Sequence, residues 1–171
     1  MIYSISGEII KKLPNQVIIQ QGGFGIEVTI TRPTYEAIGN TSDECLLYTY
    51  LHVREDILML YGFANLDEKE LFLKLISVSK IGPKKVLNIL SGVSSNDLKK
   101  FIVQEKIELL KRLPGIGDKT ARRIILELKD KFTEKELSEL TSTSALSETY
   151  KTVAKESITA LESLGFKSNQ V

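Results

Sequence analysis

Two glycine turns, thirty-five residues apart, constrain this chain more than any other feature. The first is Ile81-Gly82-Pro83-Lys84-Lys85-Val86. The second is Ile116-Gly117-Asp118-Lys119-Thr120-Ala121, led in by Leu113-Pro114-Gly115. Each follows an apolar helical stretch and opens another, which predicts a helix, a glycine-bearing hairpin and a second helix, built twice. Glycine lets the main chain approach an anion closely and adopt φ > 0. The N–H groups at the start of the following helix lack partners and point outward with the helix dipole behind them, a ready phosphate site. Pro83 suits a first helical position, where its missing N–H costs nothing. Lys84 and Lys119 stand in register and add a point charge to each grip. One such turn alone is as well explained by an ordinary helix end; the repeat in register makes a pair of phosphate grips the better reading. Gly115-Ile116-Gly117-Asp118-Lys119-Thr120 also mimics the tail of a nucleotide-binding loop, but Asp118 and the missing upstream glycine break the required spacing.

A net charge of +1 over 171 residues looks wrong for a nucleic-acid binder until it is divided along the chain. Residues 1–64 carry −3, residues 65–132 carry +6 and residues 133–171 carry −2. The positive charge sits with the two turns, as an electrostatic footprint on DNA requires.

Residues 1–64 read as β-rich. Besides the N-terminal stretch, five short segments alternate or run apolar: Ile9-Ile10, Val17–Ile19, Ile26–Ile30, Leu46–Leu51 and Ile57–Tyr61, parted by turn signals at Pro14-Asn15, Gly22-Gly23, Gly39-Asn40 and Glu55-Asp56. Five strands in about sixty residues predict a small closed barrel of the OB type. Residues 65–132 predict about five helices: from Asn65 or Asp67 through Ser79, then Pro83–Leu90, Ser95–Phe101, Gln104–Lys111 and Asp118–Lys131. Residues 133–148 dissolve into Ser and Thr and read as a linker. Residues 149–171 carry one amphipathic helix with Val153, Ile158, Leu161 and Leu164 on a face it cannot bury alone, an incomplete helical segment.

Val53-Arg54-Glu55-Asp56-Ile57 sets two adjacent carboxylates on a turn between two apolar strands. The plain reading is a solvated β-turn. Beside phosphate grips, the same charges would repel DNA and act as a wedge or fence. Two neighbours from one turn make a poor Mg²⁺ site without further ligands. No metal or cofactor is expected. The single cysteine, Cys45, excludes an internal disulfide, fits a reducing cytoplasm and reads as a small core residue; the one histidine, His52, completes no triad. There is no apolar run of eighteen residues and no basic leader, so neither a membrane span nor a signal peptide is expected.

Taken in order, Met1-Ile2, Gly22-Gly23-x-Gly25-x-Glu27-Val28, Val53-Arg54-Glu55-Asp56, Leu60-Tyr61-Gly62-Phe63, Leu71-Phe72, Gly82-Pro83-Lys84, Ile89-Leu90-Ser91-Gly92, Leu113-Pro114-Gly115-Ile116-Gly117 and Lys119-Thr120-Ala121 resemble the RuvA family, Holliday-junction-binding subunits of the bacterial branch-migration complex. The resemblance runs from Met1 to about Phe132, and Ala160-Leu161-x-x-Leu164-Gly165-Phe166 is similar to the start of the family's C-terminal domain. It implies an OB-type domain, a tandem helix-hairpin-helix domain and a small UBA-like helical domain. It also implies a homotetramer or octamer acting in the cytoplasm in recombination, DNA repair and the SOS response. The RuvB ATPase would be the motor partner, with the RuvC resolvase left open as another. Carried over by motif, Glu55 and Asp56 are an acidic pin. Lys80, Gly82, Lys84, Gly115, Gly117, Lys119 and Arg123 hold DNA, and Leu161, Leu164 and Phe166 face RuvB.

The chain departs from that pattern at three places. Lys80 aligns with Gly115, where a left-handed backbone is cheap only for glycine, so its charge is expected to take over part of the grip. Asp118 replaces a basic residue; it suits a helix start but repels DNA. The sequence stops at Val171, before a third domain is expected to be complete. The rival readings are a helix-hairpin-helix DNA repair enzyme, a glycosylase with Asp130 as its acid or a nuclease accessory domain, and a single-strand binder using Phe24, Tyr48 and Tyr50.

Overall fold

The computed structural model of the protein describes residues 2–132; Leu161, Leu164, Phe166 and the expected linker lie outside the described residues. Residues 1–131 form one compact unit. Its first half is a closed barrel in the order β1-β2-β3-β5-β4, with β1 Ser4–Leu13, β2 Gln16–Gln21, β3 Phe24–Ile30, β4 Glu44–Val53 and β5 Leu58–Phe63. All pairs are antiparallel except β3 with β5, where Thr29 meets Tyr61 and Ile30 meets Gly62. Alternate residues point inward, and Ile5, Ile9, Val17, Ile19, Val28, Ile30, Leu47 and Leu60 fill the barrel. A register shift between Ile9 and Lys11 bends β1 so that its two halves serve β4 and β2.

The second half is helical: α2 Leu66–Ile76, α3 Pro83–Gly92, α4 Ser95–Val103, α5 Ile107–Lys111 and α6 Asp118–Leu128, then a 3₁₀ turn over Lys129–Lys131. The sequence signals for α2 and α4 hold, since Asn65 caps through Glu68 N–H and Ser94 through Asp97 N–H. Three expectations shift. The helix from Asn65 stops at Ile76 rather than Ser79. The helix expected from Gln104 starts at Ile107, because Glu105 takes φ 54° and breaks the run. The last helix ends at Leu128 and tightens to 3₁₀. One element was not foreseen: α1, Arg32–Ala37, capped by Thr31 and carrying Pro33 in its first turn.

That small helix seats the helical half on the barrel. The Glu68 carboxylate of α2 is 2 % exposed and accepts hydrogen bonds from the Thr31 hydroxyl and, at 2.8 Å, from the Thr34 hydroxyl. Thr34 Oγ1 in turn accepts the Ala64 N–H at 3.0 Å, in the short joint between β5 and α2. Beside it, fully buried Phe72 packs on Phe63 (ring centroids 4.8 Å apart), Tyr50 (5.5 Å) and Tyr61 (5.6 Å). Lys69 Nζ reaches the Tyr3 carbonyl at 3.2 Å and lies 3.8 Å from the Tyr3 ring centre. The Arg32 N–H of α1 donates to Ser91 Oγ of α3 at 3.1 Å.

Burial pushes the Glu68 carboxyl above the usual carboxylate range, more than the two threonine hydroxyls pull it down. A carboxyl raised on folding contributes stability that is fully present below its unfolded value and is lost as pH rises through its folded value. Glu68→Gln should therefore gain on the wild type as pH rises above the ordinary carboxylate range in denaturant titrations; a difference that stays flat with pH would contradict the burial account. Thr34→Val strands the Ala64 N–H and one Glu68 oxygen and should cost about 2–3 kcal/mol.

Candidate nucleic-acid interface

The two turns are structural copies. Val78 and Leu113 are buried, and their carbonyls accept from Ile81 N–H at 3.1 Å and Ile116 N–H at 3.2 Å. Lys80 takes φ 65° and Gly115 φ 76°. Gly82 caps α3 with φ −95°, ψ 165°, and Gly117 caps α6 with φ −95°, ψ 175°; neither helix start has a side-chain cap. Gly82 O then accepts from Val86 N–H at 3.1 Å and Gly117 O from Ala121 N–H at 2.9 Å. The offset of thirty-five thus holds through backbone torsions and hydrogen bonds.

The left-handed conformation sits two residues before the cap glycines, at Lys80 and Gly115. Gly82 and Gly117 lie in extended backbone that any residue could adopt, and a Cβ built on either meets nothing within 4 Å. Their lack of a side chain therefore leaves open space in front of uncapped N–H groups, which is what an approaching phosphate needs. Lys80 does take the left-handed shape that sequence reasoning held to be costly for it, so the first hairpin keeps the geometry of the second and carries a strain of about 1 kcal/mol.

The acidic turn closes tightly. Arg54 N–H donates to the Ile57 carbonyl at 2.8 Å, leaving Glu55 and Asp56 exposed at the end of the β4–β5 hairpin. Among the described residues, no group of three or more His, Cys, Asp or Glu side chains could hold a metal ion, so these two acids gather no third ligand.

A cavity of about 550 Å³ joins these parts. Gly82 and Lys84 from the first hairpin, Gly115 from the second, and Arg54 and Ile57 flanking the acidic turn all line it. Lys85 spans the two hairpins, its Cε 3.7 Å from where a Gly115 side chain would begin. Lys80, Gly117 and Lys119 are exposed and do not line it. Arg123 is turned another way: its Nη1 donates to the Ser79 carbonyl at 3.3 Å and its Nε lies 3.9 Å from Glu127, so it ties α6 to the loop before the first hairpin. Asp118 accepts a hydrogen bond from Arg122 at 2.9 Å, and that bond holds its carboxyl below the usual range. The anion that looked hostile to DNA is matched by its own helix.

Sequence reasoning missed His52, Arg54, Lys85 and Asn88, which line the same cavity. Arg54 and Lys85 sit beside residues that were singled out; the signal was adjacency. Asp130, the acid a glycosylase would need, lines a different depression with Glu105, Arg122 and Lys129. Of the aromatics a single-strand binder would use, Tyr50 is committed to Phe72 and Tyr48 packs edge-on against Tyr3 at 6.3 Å; Phe24, 74 % exposed, stands at the start of β3.

The RuvA N-terminal domain family matches residues 1–62, and the SAM-like helix-hairpin-helix tandem family matches residues 72–130. Relatives named Holliday junction branch migration complex subunit RuvA match most of the chain. The protein of Solibacter usitatus is 48% identical over 132 residues, covering 77% of this chain and 67% of its own. That of Geobacter metallireducens is 40% identical over 167 residues (98% and 84%), and that of Escherichia coli O9:H4 is 37% identical over 176 (99% and 87%).

Three substitutions separate conformation from open space. Gly115→Ala should lower stability by about 1 kcal/mol and Lys80→Gly should raise it by up to about as much. Gly117→Ala should leave the unfolding midpoint unchanged, because its backbone is ordinary and its Cβ meets nothing. Equal losses at Gly115 and Gly117 would contradict the assignment of strain.

Proposed function

The chain belongs to the RuvA family, and we propose that it binds four-way Holliday junctions by their shape, without reading sequence, and holds them open for branch migration driven by a separate ATPase. The observation that carries this is the shared cavity: the first uncapped helix start, the left-handed Gly115 of the second hairpin, and Arg54 and Ile57 on either side of the acidic turn line one concave surface. The grips are Gly82, Lys84, Gly115, Gly117 and Lys119, with the charge of Lys80 beside the first. Backbone N–H groups and lysines take phosphates of any sequence, as a moving junction demands. Arg123 supports the first grip from behind through Ser79. The subunit contributes no ATP chemistry of its own in this reading; RuvB is the motor, bound through Leu161, Leu164 and Phe166, and RuvC is a further candidate partner in the cytoplasm during recombination, repair and the SOS response.

Four copies around an axis would multiply weak contacts through effective concentration. They would also gather eight carboxylates from Glu55 and Asp56 at the centre. Like charge there discourages a duplex from crossing and keeps phosphates to the sides. A repair-enzyme reading has less support, since Asp130 stands apart from the hairpin loops.

Binding to a four-way junction, to linear duplex and to single strands of the same sequence tests the proposal. The junction should bind well above both. Glu55→Gln with Asp56→Asn should raise duplex binding and shrink that preference. Lys84→Ala and Lys119→Ala should each lower the slope of log affinity against log salt by about 0.9 per engaged subunit. Equal affinity for junction and duplex at low salt would overturn the proposal; unchanged slopes would reduce the lysines to surface charge.

A further inference from the structure

We propose that His52 is a proton-dependent contact for a DNA backbone phosphate, seated between the first hairpin and the acidic tip, so that junction binding tightens as pH falls from 8 to 6. The inference rests on the reading that the hairpin face binds a junction, and it adds a residue and a regulation which that reading does not contain.

His52 lies on β4, paired across to Met59 of β5, two residues before Arg54. Its ring stacks on Tyr50 (centroids 6.2 Å apart, planes at 29°) and meets Tyr61 edge-on at 6.5 Å. Tyr50 and Tyr61 both pack on Phe72. The imidazole is therefore the outer rung of an aromatic ladder rooted in the seam between barrel and helices. A ring held this way gives up little conformational freedom when it takes a ligand.

At that outer end it lines the cavity with Arg54, Lys84 and Lys85, and no carboxylate lines it among the described residues. Three cations and an imidazole around one concave space suit an anion. Because the cavity also touches Gly82 and Gly115, the anion that fits is a phosphate of the same backbone the hairpins would grip.

Histidine is the side chain whose ordinary titration falls between pH 5 and 8. A phosphate at the ring favours the charged form, so binding takes up a proton and strengthens as pH falls. The other groups facing His52 do not imitate this. Arg54 just after β4, Lys84 and Lys85 on α3, and Glu55 and Asp56 at the tip belong to residue types whose ordinary titration lies outside this range. Burial pushes the Tyr61 phenol further up, away from it, and Tyr50 is a phenol of the same type. From α2, Phe72 packs on Tyr50 and Tyr61 behind the imidazole, and from the second hairpin Pro114 and Gly115 line the same cavity. No other histidine exists in the chain.

The experiment measures junction and duplex affinity at pH 6, 7 and 8, each at several salt concentrations, for the wild type and for His52→Gln and His52→Asn. The full 171-residue chain is used, with unfolding midpoints taken alongside. In the wild type, junction affinity should rise about tenfold from pH 8 to pH 6, the scale of one charged hydrogen bond. The salt slope should steepen by about 0.9 per engaged subunit. In both variants the rise from pH 8 to pH 6 should vanish, so that their affinity falls furthest below the wild type at pH 6. A variant that folds normally and keeps the wild-type pH response overturns the inference, because the response then comes from elsewhere. A wild type with no pH response does the same. If junction and duplex bind equally at pH 8, the junction reading itself fails, whatever His52 does.

Discussion

A buried carboxylate holding two threonine hydroxyls is the interaction on which the rest of this structure depends. Glu68 sits where the barrel meets the helices, and a lone charge there would be expensive. Thr31 and Thr34 satisfy both of its oxygens, and Thr34 passes the bond on to the Ala64 N–H of the joint. Phe72 fills the adjoining space against Phe63, Tyr50 and Tyr61. Removing a ring so enclosed costs about 3–5 kcal/mol, a large part of the stability of a domain this size. The consequence is geometric. The hairpins come from the helical half and the residues flanking the acidic tip, Arg54 and Ile57, from the barrel, and only a fixed seam lets them share one cavity.

The repeat shows how little of a sequence is needed to keep a grip. Between the two hairpins, Pro83 exchanges with Asp118 and Lys80 with Gly115, yet torsions and hydrogen bonds coincide. What is held constant is an uncapped helix start with empty space before it and a lysine two residues on. Pro83 removes one donor from the first grip, whereas Asp118 keeps its donor and brings a charge that Arg122 matches. The first grip therefore leans on side-chain charge, with Lys80, Lys84 and Lys85 near it. The second has Lys119 and more backbone donors.

Much of this was legible in the residues. Alternation at Val17–Ile19 and Ile26–Ile30 marks two of the barrel strands, and the offset of thirty-five marks both hairpins, because these are local patterns with local causes. The helix α1 escaped notice because it has only six residues among strands, although Thr31 and Pro33 are its start signal. The left-handed residue of each hairpin was less plain, since the glycines that stand out in both turns, Gly82 and Gly117, turn out to be needed for space and not for torsion. The cavity itself was not legible. His52 is thirty-three residues from Lys85 and sixty-three from Gly115, and they meet through the seam, which no local pattern encodes.

Native-state hydrogen exchange at the Ala64 amide tests the fixed seam most directly. That N–H donates to Thr34, whose hydroxyl is bonded to Glu68 of α2, so its protection reports on the closed joint between β5 and α2. If the seam holds the grips and the tip as one body, Ala64 should open with the same free energy as the barrel-core amides of Ile19 and Leu47, and respond to denaturant with the same slope. An Ala64 amide that exchanges far more readily than those, with a small slope, would mean that the halves hinge apart while each stays folded, and the shared cavity would not be a fixed site.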